Sequence, residues 1–340
     1  MPAISVIVSN HNGHDHIATC LEQLAAQSFQ DFDILVVDDA STDDSVDILR
    51  EWQQREPRLR LIVNERNLGL PGLTRNAALD SGLACGDAIL FLDGDDMIEP
   101  TMLESLWVLL QDPGAPADIA ICGYDRVDRV TGKRIAVEMQ GFPALLEAPF
   151  EGDALCYANS AVWNKLWRRD IIEDLRFPAI RVGEDLPFSW AAYQRAQHIA
   201  FTPQALIHYQ VAAGSVIAST TRDDMDALAN ELARLHASAN AATRDQLAVL
   251  AFLHLGLSMA LRAADNPQVD LVAYCADTAR RFEREYDSFK GNPLLSWRVL
   301  RRRGFKGCAI WLALRAYHLG LMAPLLRVAR AVGLLGRIWW

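Results

Sequence analysis

The chain's 340 residues are 51% apolar and 22% charged, with Gly 20 and Pro 14 spread along it, which excludes disordered, collagen-like and low-complexity classes. The length leaves room for two domains and a substantial core. Net charge is −10, yet residues 290–340 hold ten Lys or Arg and no Asp or Glu; an acidic body with a basic tail argues against a nucleic-acid partner and for a tail that meets an anionic surface.

In chain order, residues 4–8 form a β-branched run halted by the loop formers Ser9-Asn10-His11-Asn12-Gly13. Ile17, Cys20, Leu21 and Leu24 then recur at helical spacing over 16–27. Residues 32–37 read as a second strand, apolar throughout as a strand buried on both faces is. It ends in Asp38-Asp39-Ala40-Ser41-Thr42-Asp43, where Ser41 or Thr42 caps a helix continued by Val46, Ile48 and Leu49. A third strand over 59–63, a helix over 74–84 and a fourth strand over 88–92 lead into Asp93-Gly94-Asp95-Asp96. This alternation predicts a mostly parallel sheet flanked by helices, with ligands beyond the carboxyl ends of its strands. The polar clusters at 9–12, 38–43 and 93–96 fall on that edge. Residues 100–222 read as mixed, with a strand over 118–123. From Asp223 the pattern is helical, with Leu228, Leu232 and Leu235 on one face and no internal repeat.

Six scattered cysteines without a Cys-x-x-Cys pair are expected as buried thiols in a reducing compartment, not as disulfides or a zinc site. The N-terminus lacks a basic stretch followed by a long apolar one, so a cytoplasmic location is the expectation.

Asp93, Asp95 and Asp96 follow an apolar strand, where charge is costly unless paired or neutralised. A hard divalent cation, held by one or two carboxylates together with substrate phosphates, would neutralise them; the alternative is a solvated acidic turn capping a helix over 102–110. Asp38-Asp39 ends another strand of the same sheet and faces the same crevice. A carboxylate there accepts hydrogen bonds from a ribose hydroxyl or a base imide, or else caps the next helix.

Taken in order, Ser5-Val6-Ile7-Val8-Ser9-Asn10-His11-Asn12, Asp38-Asp39-Ala40-Ser41-Thr42-Asp43, Asn67-Leu68-Gly69 through Thr74-Arg75-Asn76, Leu92-Asp93-Gly94-Asp95-Asp96, Trp163-Asn164-Lys165-Leu166-Trp167-Arg168-Arg169, Gly183-Glu184-Asp185, and His208-Tyr209 with Gly214-Ser215-Val216 resemble the motifs of family 2 glycosyltransferases with the GT-A fold. The resemblance spans residues 3–221 and rests on seven motifs in sequence. It implies a Rossmann-like α/β domain over 1–222, its nucleotide-sugar half at 1–100 and its acceptor-side half at 101–222; the helical spacing from Asp223 on predicts an α-helical region over 223–340 after it. The implied activity is inverting transfer of a sugar from a nucleotide-diphosphate donor, by family habit UDP, to a hydroxyl of a glycan or lipid-linked acceptor.

Position by position, the resemblance implies that Ser9 and His11 line the base pocket, with His11 standing where the family usually has Tyr. Asp39 would hold the base, Arg75 approach the diphosphate, and Asp95 meet the ribose or the metal. Asp96, with Asp95 and His208, would hold Mn²⁺ or Mg²⁺; Ser215 would close over the diphosphate. Asp185 would be the base, with Glu184 as its neighbour. Lys165 and Arg168 are expected to pair with acidic core groups or with donor phosphate. Two other classes stay open. A nucleotidyltransferase would release pyrophosphate and would not need the Gly-Glu-Asp and His-Tyr motifs; a non-catalytic scaffold would be marked by a lost carboxylate, whereas Asp95, Asp96 and Asp185 are all present.

The tail lies outside the resemblance. If 308–340 is one helix, Arg315, His318, Arg327, Arg330 and Arg337 fall within about half its circumference, Leu and Trp fill much of the rest, and Pro324 kinks it. With Ile338-Trp339-Trp340, this is the profile of an interfacial anchor at the inner face of the cytoplasmic membrane. Spanning is disfavoured, because the most apolar window, 307–326, contains Arg315, His318 and Pro324. The alternative is packing on the catalytic domain or on a second copy in a homo-oligomer.

Overall fold

Four strands, β1 (Ile4–Asn10), β2 (Phe32–Asp38), β3 (Leu59–Val63) and β4 (Ala88–Asp93), are joined by helices α1 (Ile17–Ala25), α2 (Ser45–Arg55) and α3 (Pro71–Asp80). They pair in parallel in the order β3-β2-β1-β4. Ile4, Val6, Ile7, Val8, Val36 and Leu90 along β1, β2 and β4 are fully buried, as strands covered on both faces require; each such side chain contributes roughly 1.5–3 kcal/mol. The computed structural model describes residues 1–211, 219–287 and 289–331. By its internal contacts the chain divides into two units, Met1–Pro149 with Asn159–Ala212, and Phe150–Ala158 with Ala213–Trp340.

The first unit continues with β5 (Met97–Ile98), α4 (Met102–Leu110), β6 (Ile119–Asp128), β7 (Arg134–Glu138), β8 (Leu145–Glu147), β9 (Lys165–Arg168), α5 (Arg169–Ile172), α6 (Asp185–Tyr193) and β10 (His198–Val211). Among the described residues the sheet has ten strands, parallel in its first half and mixed beyond. Strand β9 inserts antiparallel between β4 and β6, and β10 runs parallel to β6. Helix α3 begins at Pro71 rather than 74 because proline at the first helical positions loses no hydrogen bond and has the right φ.

The second unit is helical: α7 (Arg222–Ser238), α8 (Ala241–Ala251), a π-helical stretch Phe252–Met259, α9 (Ala260–Asp265), α10 (Leu271–Glu285), α11 (Trp297–Leu300), α12 (Gly304–His318) and α13 (Met322–Ala331). Thr243–Asp265 is long and apolar enough to cross a membrane, but 83% of its most apolar window is buried. Phe252 at its centre packs against the rings of Phe282, Phe289 and Tyr317, so this stretch is the unit's core helix. Residues 150–158 are held from the same unit. Gln246 Nε2 donates to the Phe150 and Gly152 carbonyls at 2.6 and 2.8 Å, and the Arg303 guanidinium forks onto Asp153 at 2.8 and 2.9 Å.

The single kinked helix expected over 308–340 is replaced by α12 and α13. The break falls at Gly320, whose φ of +67° suits glycine, and Pro324 sits in the first turn of α13, where its missing N–H removes no helical bond. Arg337 and Ile338-Trp339-Trp340 lie outside the described residues. All six cysteines are free; Cys20, Cys122, Cys156 and Cys275 are buried, whereas Cys308 is exposed.

Candidate active site

The parallel register sets Ser9 opposite Asp93 and Asn10 opposite Asp38 at the carboxyl edge of the sheet. Ser9 Oγ donates to Asp93 Oδ1 at 2.7 Å, and Asn10 Nδ2 to Asp38 Oδ2 at 2.7 Å. After β4 the chain turns at once: Gly94 N donates to the Ser9 carbonyl at 2.9 Å, and the Asp96 carboxylate accepts from Asp93 N at 2.8 Å. A Cβ on Gly94 would lie 2.9 Å from Asn10 Oδ1 and 3.2 Å from Ile17 Cδ1, so the turn admits only glycine without displacement. Burial, then the neighbouring Asp93 carboxylate, push Asp96 well above the ordinary carboxylate range and raise Asp95. The turn thus holds more negative charge than its surroundings balance. Its donors are all carboxylate oxygens, a set that fits a hard divalent cation completed by substrate phosphates.

Helix α3 delivers Arg75 into this edge. Its side chain is 3% exposed, and its guanidinium donates to Asp93 Oδ1 at 2.8 Å, to Glu184 Oε1 at 2.9 Å and to Asp185 Oδ1 at 3.0 Å. Burial opposes the Arg75 charge, and the three carboxylates outweigh it. Close docking makes this reach feasible, since a Cβ on Gly72 would sit 2.7 Å from Phe177 Cβ and 3.1 Å from Glu184 Cγ. Gly183, at φ +79°, turns the chain so that Glu184 and Asp185 open α6. Burial first, and then Asp185, push the Glu184 carboxyl up to about 7; burial also raises Asp185.

Among the described residues neither Lys165 nor Arg168 forms an ion pair with an acid. The buried Lys165 Nζ donates to the carbonyls of Asn159 and Ala161 at 2.6 and 2.5 Å and to Asn164 Oδ1 at 2.8 Å, and burial lowers its pKa to about 7. Arg168 Nε donates to the Ala117 carbonyl at 3.0 Å. Strand β9 buries Lys165 completely and leaves Arg168, at its far end, half-buried.

A cavity of about 320 Å³ opens at the carboxyl edge of the sheet, lined by Ser9, His11, His16, Asp93, Asp95 and Arg129 among others. Ser9, His11 and Asp95 were expected there. His16 and Arg129 were missed: the Arg129 guanidinium donates to His16 Nε2, and its Nη1 lies 3.8 Å from Asp95 Oδ2. Only a fold that carries residue 129 back over the acidic turn reveals this, since 129 follows β6 in no motif.

Asp39 is held by the protein itself. Its carboxylate accepts from Asn64 Nδ2 at 2.7 Å, from Leu68 N at 3.0 Å on each oxygen, and from Gly69 N at 3.2 Å, fastening the loop before α3. His11 sits alongside, its Nδ1 2.9 Å from the Asp39 carbonyl and its Nε2 2.9 Å from Asn67 Nδ2. His208 does not join the acidic turn as a third ligand. The antiparallel pairing of β10 with β5 sets it opposite Met97, and its Nε2 lies 2.8 Å from Glu99 Oε1 and its Nδ1 3.5 Å from Asp125 Oδ2. Among the described residues no three His, Cys, Asp or Glu side chains converge as a ligand set. Ser215, with Gly214 and Val216, lies outside the described residues.

Residues 5–167 match the family described as Glycosyl transferase family 2. EpsH of Bacillus subtilis, which carries a glycosyltransferase designation, is 34% identical over 227 residues, 64% of this chain and 63% of that protein. The poly(ribitol-phosphate) beta-N-acetylglucosaminyltransferase TarS of Staphylococcus aureus is 28% identical over 214 residues, 62% of this chain and 35% of TarS. The matched region thus spans less than two thirds of either relative. Residues 1–349 of TarS in complex with UDP-GlcNAc superpose with a TM-score of 0.69 at 22% identity, covering 97% of this chain and 92% of that one. The mannosyltransferase PcManGT of Pyrobaculum calidifontis, in complex with GDP-Man and Mn²⁺, gives 0.57 at 20%, covering 98% and 87%. At those identities the two superpositions speak for the fold.

Proposed function

We propose that this chain, whose residues 5–167 match glycosyl transferase family 2, acts as a transferase of that family and moves a sugar, with inversion, from a UDP-sugar to a hydroxyl of a polysaccharide or lipid-linked glycan. In this reading the chain works in the cytoplasm or at the inner face of its membrane, with residues 1–100 serving the nucleotide-sugar and 101–222 the acceptor. One observation carries the reading. Arg75 bonds Asp93 of the acidic turn and Glu184 and Asp185 of the opposing α6 at once, so leaving-group charge and acceptor deprotonation are managed within one electrostatic unit.

The chain's residues divide the work accordingly. Ser9, His11, His16 and Arg129 line the cavity that takes the nucleotide diphosphate, with Arg129 the cation among them. Asp95 and Asp96 would hold Mn²⁺ or Mg²⁺, which when bound supplies charge neutralisation to the departing diphosphate. The Asp185 carboxylate takes the acceptor hydroxyl's proton while that oxygen bonds the anomeric carbon. The bond from that carbon to the phosphate oxygen breaks, and its electron pair leaves with the nucleoside diphosphate. Arg75 fixes the orientation of Asp185. The UDP choice draws support from the TarS complex with UDP-GlcNAc, and the polymeric acceptor from the poly(ribitol-phosphate) that TarS acts on.

The deciding experiment screens UDP-, GDP- and dTDP-sugars for thermal stabilisation and slow hydrolysis, with Mn²⁺, Mg²⁺ or EDTA. The reading expects stabilisation by one UDP-sugar that EDTA abolishes. Asp96→Asn should lose that stabilisation, while Asp185→Asn should keep it and lose transfer. Turnover of Asp185→Asn at the wild-type rate would falsify the base assignment, and pyrophosphate release from a nucleoside triphosphate would replace transfer of a sugar with transfer of a nucleotide.

A further inference from the structure

We propose that α11 and α12 of the second unit form a docking surface for anionic lipid bilayers. Spacing of three and four residues sets Phe305, Cys308, Leu312 and Arg315 along one stripe of α12, with Leu319 directly after it. This stripe faces solvent: Phe305 is 76% exposed, Leu312 51% and Leu319 69%. The helix's opposite face, with Ile310, Ala313, Leu314 and Tyr317, is the one that is buried. Trp297 of α11 extends the stripe by packing its indole edge-on against Trp311, centroids 5.2 Å apart, and the Arg315 guanidinium lies 5.2 Å from the Trp311 ring centre. A contiguous row of exposed apolar side chains, unlike single ones, is the form an interaction surface takes.

The charge around the stripe selects the occupant. Arg298, Arg301 and Arg302 flank it and are exposed, and no Asp or Glu occurs from 288 to 340. Cations around exposed aromatic and aliphatic side chains match a bilayer interface, where indole, phenyl and leucyl groups enter the acyl boundary and guanidinium groups meet lipid phosphates. A second copy of this chain fits less well, because a two-fold contact through this patch would set arginine against arginine.

Flotation of the full chain with vesicles of phosphatidylcholine alone, and with about one third phosphatidylglycerol, tests the proposal. The wild type is expected to partition at least roughly tenfold more onto the anionic vesicles, and raised salt should reduce the difference. The pairs Phe305→Ser with Leu312→Ser, and Arg301→Glu with Arg302→Glu, should each lower that partition about tenfold. Both leave the melting temperature and donor hydrolysis unchanged, since all four residues are exposed and none lines the catalytic cavity. Equal partition onto both vesicle types, or partition unaffected by either pair, overturns the proposal. A dimer in sedimentation velocity that the Phe305 and Leu312 substitutions dissolve also overturns it and assigns the face to a second copy. The result is independent of the transferase reading, which the donor screen decides.

Discussion

Arg75 holds three carboxylates in check, and its removal has two separable consequences. Arg75→Ala leaves Asp93, Glu184 and Asp185 crowded without their cation; breaking a buried ion pair from one side costs about 3–5 kcal/mol, visible as a large fall in melting temperature. Glu184 responds in the opposite sense. Its folded pKa of about 7 stands above the unfolded 4.5, so the folded state binds the extra proton, and stability falls as pH rises through that window by at most about 1.4 kcal/mol per unit. Glu184→Gln should flatten this dependence in denaturation series run from pH 4 to 8. In kinetics it should shift the acid limb of kcat to lower pH, because Asp185 then ionises beside Arg75 without the adjoining Glu184 carboxyl. The acidic members of the site were legible as local strings, Asp-Gly-Asp-Asp and Gly-Glu-Asp. Arg75's own partners were not, since nothing along the chain ties position 75 to both 93 and 184.

At the scale of elements, α3 is the brace between the two sides of the site. Beside Arg75 it carries Asn76, whose Nδ2 donates to the Phe177 carbonyl at 2.9 Å and whose Oδ1 accepts from Phe177 N at 2.9 Å. This buried pair pins the segment that runs on to Gly183, Glu184 and Asp185. Asn76→Ala leaves a backbone donor and acceptor buried without partners, at about 1–3 kcal/mol each. It should lower the denaturation midpoint and reduce kcat more than donor affinity, because it loosens the base side and leaves the acidic turn intact; an effect confined to donor affinity would contradict the brace. The first four strands were readable as apolar runs ending in polar clusters. Strand β9 was not: Lys-Leu-Trp-Arg is too short to show a period, and only its pairing with β4 and β6 makes it a strand. The break between α12 and α13 likewise turned on Gly320, where proline at 324 was the stronger signal in the sequence.

For the whole molecule, the folding units do not follow simple chain order. Residues 150–158 lie deep in the sequence of the first unit yet belong with 213–340, where Gln246 and Arg303 hold them and Leu155 and Cys156 are buried. No composition shift marks this excursion, so the sequence suggests a cut after 222 that severs the segment from its partners. A chain ended at 222 is therefore expected to expose Leu155 and Cys156, lose the bonds to Phe150, Gly152 and Asp153, and precipitate or melt well below the full chain. Replacing 150–158 in that truncation by a short Gly-Ser connection removes the orphaned segment. It should recover soluble protein with a cooperative melt, because a flexible surface link of such length costs little in closure entropy. If the plain truncation melts as cooperatively as the full chain, the segment's place in the second unit contributes nothing to stability. If neither truncation is soluble, the first unit depends on the second through more than this segment, and the two fold as one.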